Sequence, residues 1–287
     1  MQKIMIATDF SERSDRALRR ATLLAKEAGA SLTIVHVVDD DRPRRFVEHD
    51  RKDAETLLRE LEATVQRVDG LSCEVRVILA DPFAGIVQAV AEAVPDLLVI
   101  GPHRRQILKD AFVGTTAERT IRAAACPVLM VNAAPVGSYH HVLQATDLSD
   151  GSRDAMQRFS GLSISAHAGH SILHVFDAPA LRLAMAHSMA RDDQEEYLED
   201  ERATAKRALS HFLASSGISD VEQLVRHDET TTANEILNVA NELKADLIVV
   251  STRGKGSLAR MVLGSVAEKV LRSSRVDVLA IPPVSCQ

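Results

Sequence analysis

Tryptophan is absent from this chain, and two tyrosines and seven phenylalanines bring its aromatic content to only 3%. Its cores must be assembled from Val, Ile, Leu and Ala, as where buried parallel strands pack against alanine-rich helices. Cysteine is sparse too. Cys73, Cys126 and Cys286 form no Cys-x-x-Cys pair, which argues against a disulfide framework and a thiolate zinc site. No apolar run reaches transmembrane length, so no membrane partner is expected. A basic excess is also lacking: a formal charge of −6 over 287 residues argues against general nucleic-acid binding, which draws on a basic surface. The local run Arg42-Pro43-Arg44-Arg45 reads as a solvated loop. The chain opens directly into Lys3-Ile4-Met5-Ile6 without a signal-peptide pattern, so a reduced, cytoplasmic setting is the default expectation.

What the chain does have is a repeat. Ala7-Thr8-Asp9-Phe10-Ser11 returns as Ala145-Thr146-Asp147-Leu148-Ser149, and Ile34-Val35-His36-Val37-Val38-Asp39 returns as Ile172-Leu173-His174-Val175-Phe176-Asp177. Val113-Gly114-Thr115-Thr116-Ala117-Glu118 returns as Leu263-Gly264-Ser265-Val266-Ala267-Glu268. The copies keep their order, with one insertion before the last pair. Two domains of one fold are expected, each of about 140 residues and near the usual size for one core. They span 1–133 and 140–287, and the short linker around 133–140 lets them pack as a pseudo-twofold pair within the chain.

Each half alternates short apolar runs with segments of helical period, the pattern of a parallel sheet covered by helices on both faces. Strands are predicted near 3–8, 31–37, 73–79, 96–101 and 127–132, then 141–147, 170–176, 221–226, 246–251 and 276–281. Helices are predicted near 12–28, 50–69, 83–94 and 114–124, then 152–166, 192–215, 232–243 and 264–274. Within 50–69, Ala54, Leu57, Leu58, Leu61, Val65 and Val68 are expected to share one face. The insertion falls near 178–193, in a strand-to-helix connection where functional variation tends to lie; Met185 and Met189 suit a lid, an interaction surface or a frayed helical extension.

In open α/β sheets ligands bind beyond the carboxyl ends of the strands, where strand order reverses. Asp9 and Asp147 follow the first strand of each half. Gly101 and Ser251 close the fourth strand, and each leads through a loop to a Gly-Thr or Gly-Ser pair opening a helix. Thr115-x-x-Glu118 and Ser265-x-x-Glu268 have capping-box spacing. The glycine before each permits close backbone approach or positive φ, and first-turn amides with the helix dipole favour an anion, with Lys255 or Arg104 nearby. Turn and cap alone explain a single such element; its recurrence in both halves, with an acid, points to phosphate.

These motifs resemble the universal stress protein family, over almost the whole chain and as two tandem domains. Nucleotide-binding members carry Gly-x2-Gly-x9-Gly-[Ser/Thr] after the fourth strand. The second half reads Ser251-x2-Gly254-x9-Gly264-Ser265, a near-complete match, and the first reads Gly101-x2-Arg104-x9-Gly114-Thr115, a degenerate one. The resemblance implies doubly wound five-stranded parallel sheets of order 3-2-1-4-5, with the first and fourth strands astride the switch point. It also implies ATP, or AMP or ADP, as ligand, with Mg²⁺ a companion of the phosphates. Adenine contacts map to Asp147, preceded by Thr146, and to the backbone of Val175, with Asp9 and Val37 as first-half counterparts. Ribose and phosphates map to Ser251, Gly254, Gly264, Ser265 and Val266, and to Gly101, Gly114, Thr115 and Thr116. Ser251 is small enough to accommodate a ligand and to offer it a hydrogen bond. Arg104 obstructs close approach, so one competent site, in the second half, is expected.

The alternative is a stress protein that binds no nucleotide and acts through dimerisation or contacts with an unknown protein partner; a further homodimer is left open. A dinucleotide enzyme fits poorly, because Gly254-Lys255-Gly256-Ser257-Leu258-Ala259 follows a fourth strand and no acid ends a strand about 20 residues on. A Walker loop fails for want of Gly-Lys-[Ser/Thr]. No metal site stands out: His140 and His141 are adjacent and exposed in the linker, and His36 and His174 read as packing or hydrogen-bonding positions. Cys126 is expected to be buried. No catalytic residue is placed as a base, so the chain reads as a non-enzyme in which slow ATP hydrolysis is at most incidental.

Overall fold

The computed structural model describes residues 1–102, 115–162, 164, 168–182, 191–253 and 263–283. Met185, Met189, His103, Arg104, Gly114, Gly254 and Lys255 lie outside the described residues. The first half runs β1 (Lys3–Ala7), α1 (Glu12–Ala28), β2 (Ser31–Val38), α2 (Arg44–Thr64) with a π-helical turn (Val65–Asp69), β3 (Cys73–Leu79), α3 (Pro82–Ala93), β4 (Leu97–Ile100), α4 (Thr116–Ala123) and β5 (Val128–Met130). The second runs β6 (His141–Thr146), α5 (Asp150–Leu162), β7 (Gly169–Phe176), α6 (Pro179–Arg182), α7 (Arg191–Ser215), β8 (Glu222–His227), α8 (Thr232–Glu242), β9 (Leu247–Ser251), α9 (Ser265–Ser273) and β10 (Asp277–Ile281).

The two expected sheets are one. Among the described residues ten strands lie in the order β3-β2-β1-β4-β5-β10-β9-β6-β7-β8, so each half reads 3-2-1-4-5 and the halves meet edge to edge. Pairing is parallel within each half and antiparallel at the seam, where Leu279 faces Leu129. A twofold relation requires this, since it turns the second β5-type strand end for end. Side chains alternate across the pleat. Ile4, Ile6, Leu129 and Leu279 join one core with α1 and α5, whereas Met5, Met130, Val278 and Ala280 join a second core with α3, α4, α8 and α9. Both cores cross the seam without a break.

Two further expectations are corrected. Helix α2 starts at Arg44, so the basic run expected in a loop contributes the first helical turn; Pro43 precedes it with φ −53, preset for a helix start. On that helix Ala54, Leu58 and Val65 are buried, but Leu57 and Val68 are 43% and 66% exposed. Leu57 is one residue, about 100° of rotation, from Leu58. Val68 lies within the π turn, which shifts the phase of the stripe.

A buried carboxylate ties the seam. Asp277, fully buried at the start of β10, accepts from the Asn132 and Ala133 amides (2.9 and 3.0 Å), the Tyr139 hydroxyl (2.7 Å) and Arg20 Nε (3.2 Å). Arg20 also reaches the Gly137 carbonyl at 2.6 Å and lies 4.0 Å over the Tyr139 ring. Burial pushes the Asp277 carboxyl above its ordinary value, against the lowering effect of Tyr139, Ala133, Arg20 and Asn132; burial, with the Asp277 charge, also pushes the Tyr139 phenol well up.

Replacing Asp277 with Ala strands a buried guanidinium and should cost about 3–5 kcal/mol in urea unfolding. The folded chain holds the Asp277 proton above the unfolded value, so folding binds more protons there. The stability of the parent relative to Asp277→Asn should therefore be greatest below the unfolded carboxylate pKa and decline as pH rises through the folded one. A flat difference across pH would contradict this.

Candidate functional site

At the carboxyl edge of each half, strands of unequal length leave a crevice. β1 pairs with β2 only as far as Ala7 with Val35, and β2 continues to Val38 beside β3. β6 likewise ends at Thr146 against His174, while β7 runs on to Phe176 beside β8. The main chain of Val37 and of Val175 therefore overhangs the first strand of its half. β4 and β9 flank β1 and β6 on the other side, which puts the reversal of strand order at this point in both halves.

The turn after each first strand is held by hydroxyls. Phe10 and Leu148 adopt left-handed φ of 57 and 60, unusual for large side chains. Thr8 and Thr146 Oγ1 each accept the following turn amide at 3.0 Å. Asp9 Oδ1 accepts the Ser11 amide and hydroxyl, and Asp147 Oδ1 accepts those of Ser149 and the Ser152 hydroxyl at 2.6 Å. For Asp9 burial acts upward on the pKa, but the Ser11 hydroxyl and amide, Ser14 and Arg13 outweigh it and hold the carboxyl below its ordinary value. His36 Nδ1 and His174 Nδ1 lie 2.8 and 3.0 Å from the carbonyls of Thr8 and Thr146, bracing the crevice floor. Burial lowers the His36 pKa, opposed by the Thr8 carbonyl and Asp9, so its ring is neutral at pH 7 and donates through Nδ1.

The halves differ at three places. Arg13 Nη2 lies 3.9 Å from Asp9 Oδ2, whereas Gly151 stands at that position in the second half and offers Asp147 no guanidinium. Gly101 is a packing requirement: a Cβ there would meet the Arg13 carbonyl carbon and oxygen at 3.0 Å. Its counterpart Ser251 has room opposite Gly151, and its hydroxyl donates to the Arg253 carbonyl at 2.7 Å. That bond closes the local turn, so the hydroxyl is directed inward.

The third difference lies at the helix starts. Thr115 is the buried N-cap of α4, and its hydroxyl accepts the Glu118 amide at 3.2 Å with Thr116 as first helical residue. The capping box expected at Ser265 does not form. Gly264 is the N-cap of α9 and has no side chain to cap with; its amide bonds the Thr252 carbonyl at 2.9 Å, and the helix begins one residue sooner in the motif than α4 does. Ser265 is exposed and Val266 half-buried in the first turn, where amides lack intrahelical partners. Gly264 has φ −61, and among the described residues a Cβ there would meet only the Thr252 carbonyl oxygen at 3.5 Å, an ordinary contact. Positive φ is thus not the reason for glycine here.

The structure accordingly brings Thr146, Asp147, Val175, Ser251, Gly264, Ser265 and Val266 to one edge, and Asp9, Val37, Gly101, Thr115 and Thr116 to the matching edge. Sequence reasoning missed Ser14, Ser152 and the Arg13–Gly151 difference. The two serines recur at the same place in both copies, a signal the repeat already carried.

This doubly wound arrangement, duplicated within one chain, defines the class. A profile of the Universal stress protein family matches residues 1–132 and again 138–282, and the chain belongs to that family. A universal stress protein of Methanocaldococcus jannaschii is 31% identical over 144 residues, 50% of this chain and 82% of that protein. Universal stress protein E of Salmonella typhi is 25% identical over 225 residues, 75% of this chain and 70% of its own length. The crystal structure of a universal stress protein from Archaeoglobus fulgidus superposes with a TM-score of 0.70 at 21% identity, covering 98% of this chain and 96% of that one.

Thr115→Ala should destabilise the protein by about 1 kcal/mol through loss of its cap. Ser265→Ala should change stability by less than about 0.5 kcal/mol. Equal losses in thermal or urea unfolding would contradict the asymmetry of the two helix starts.

Proposed function

We propose that this universal stress protein binds ATP, or AMP or ADP, in its second half, and that occupancy rather than turnover carries its part in a stress response. The observation that most supports this reading is the start of α9, where a glycine that the backbone does not require precedes first-turn amides without a side-chain cap. Such amides, with the helix dipole, favour a phosphate. Across the crevice, Asp147 and the overhanging main chain of Val175 provide a carboxylate and peptide groups for an adenine edge. Mg²⁺ would accompany the phosphates.

The first half is the weaker site in this reading. Thr115 already satisfies a first-turn amide of α4, and Arg13 sits beside Asp9. Binding shifts a conformational balance only if the two states differ in affinity for the ligand, and a protein partner that prefers one state would read out occupancy. No described residue is placed as a base for hydrolysis. No helix among the described residues is long and apolar enough to cross a membrane.

Calorimetric titration with ATP should give one site per chain, and two equal sites would overturn the asymmetry. Gly264→Val should still fold, with a loss of about 1 kcal/mol for a poorer N-cap, since among the described residues a Cβ there makes only an ordinary contact. It should weaken ATP binding by at least about tenfold, the equivalent of one charge-assisted hydrogen bond. Unchanged affinity would remove the start of α9 from the site.

A further inference from the structure

Arg20 on α1 and Arg158 on α5 hold the same place in the two copies. Arg20 has an ion pair with Asp277 at 3.2 Å and the ring of Tyr139 at 4.0 Å. Its twin has neither. Arg158 donates to the carbonyls of Pro282 and Ala125, and no carboxylate among the described residues lies within ion-pair distance of it. The cause lies in the sequence: Pro127 stands at the start of β5 where Asp277 stands at the start of β10. Arg158 is thus a half-buried cation with two of its five N–H groups committed, both to neutral acceptors, and burial lowers its pKa.

Arg158 borders a cleft of about 470 Å³ at the amino-terminal ends of β4 and β5, on the edge of the sheet opposite the nucleotide crevice. That volume lies within the roughly 300–1,000 Å³ typical of small-molecule sites. Val94, Pro127 and Leu162 form apolar walls. Val94 is 73% exposed and, although β-branched, takes a left-handed φ of 46; the equivalent residue of the other copy is Lys244, with φ 53. The acid at the rim, Asp96, accepts the amides of Gln2 and Lys3 and lies near the terminal amine, so its charge is engaged. Across the seam the chain supplies its own flat group. Tyr139 covers Arg20, and the next amide, that of His140, bonds Asp246, the twin of Asp96.

We propose that this cleft binds a small organic anion with a flat apolar body and one carboxylate, the carboxylate pairing with Arg158 and the body lying against Pro127, Val94 and Leu162. The ligand would supply what Asp277 and Tyr139 supply to Arg20. The site shares no residue with the nucleotide crevice, so it stands whether or not ATP binds.

Titration with 2-naphthoate, followed by amide NMR shifts, tests the proposal on the full chain. Gly161 and Val94 should shift, and neutral 2-naphthamide should bind about tenfold more weakly, as loss of one charge-assisted hydrogen bond predicts. Gly161→Leu should fold, since among the described residues a Cβ at 161 meets nothing within 4 Å and the other copy carries Leu23 there, and it should abolish binding by filling the cleft. Arg158→Gln should erase the preference for the carboxylate. Equal affinity for acid and amide, undiminished binding to Gly161→Leu, or no shift at Gly161 at the solubility limit of naphthoate would each overturn the site.

Discussion

One carboxylate organises the joint between the halves. Asp277 collects the amides that follow β5, the phenol of the linker and the guanidinium of α1, so four donors from two stretches distant in sequence converge on two oxygen atoms. A charge removed from water is costly unless every lone pair is met, and here geometry must meet them. That requirement fixes how far β10 slides along β5, and therefore how the two cores run into each other. A three-residue strand such as β5 would otherwise have little to hold its register.

Duplication gave the chain two crevices, and small exchanges made them unequal. Arg13 against Gly151 changes the neighbour of the turn aspartate, and Thr115 against Gly264 leaves the start of α4 capped and buried and that of α9 uncapped and open. The two helix starts are nonetheless in contact by charge: Arg122 on α4 pairs with Glu118 and, across the seam, with Glu268 on α9 at 3.4 Å. A group entering at the start of α9 thus acts on a helix already tied to its twin.

Much of the fold was legible because it is local. The unbroken apolar run Ile4-Met5-Ile6 announces a strand buried on both faces, and each predicted strand has its observed counterpart within a residue or two. The fusion into one sheet was not legible. The apolar runs at 127–132 and 276–281 read the same whether they pair or stay separate, and Asp277, the carboxylate at the seam, is met by Arg20, far away in the chain. The helix starts show the same limit. Thr115-x-x-Glu118 and Ser265-x-x-Glu268 have one spacing, but α4 is capped by Thr115 whereas α9 already begins at Ser265, one residue earlier in the motif. The described crevice residues lie at the carboxyl edge, where the strand ends set by local pattern put them.

Joining β5 to β10 leaves the ribbon with two outer margins, β3 and β8, at opposite extremities. Unpaired peptide groups at such margins invite another chain to dock, and here head-to-tail docking would propagate without closing. Both margins carry the same safeguard. Arg76 and Arg226 stand at matching positions on them, each held by a helical glutamate, Glu92 and Glu242. The duplication therefore copied the charged treatment of both margins along with the fold.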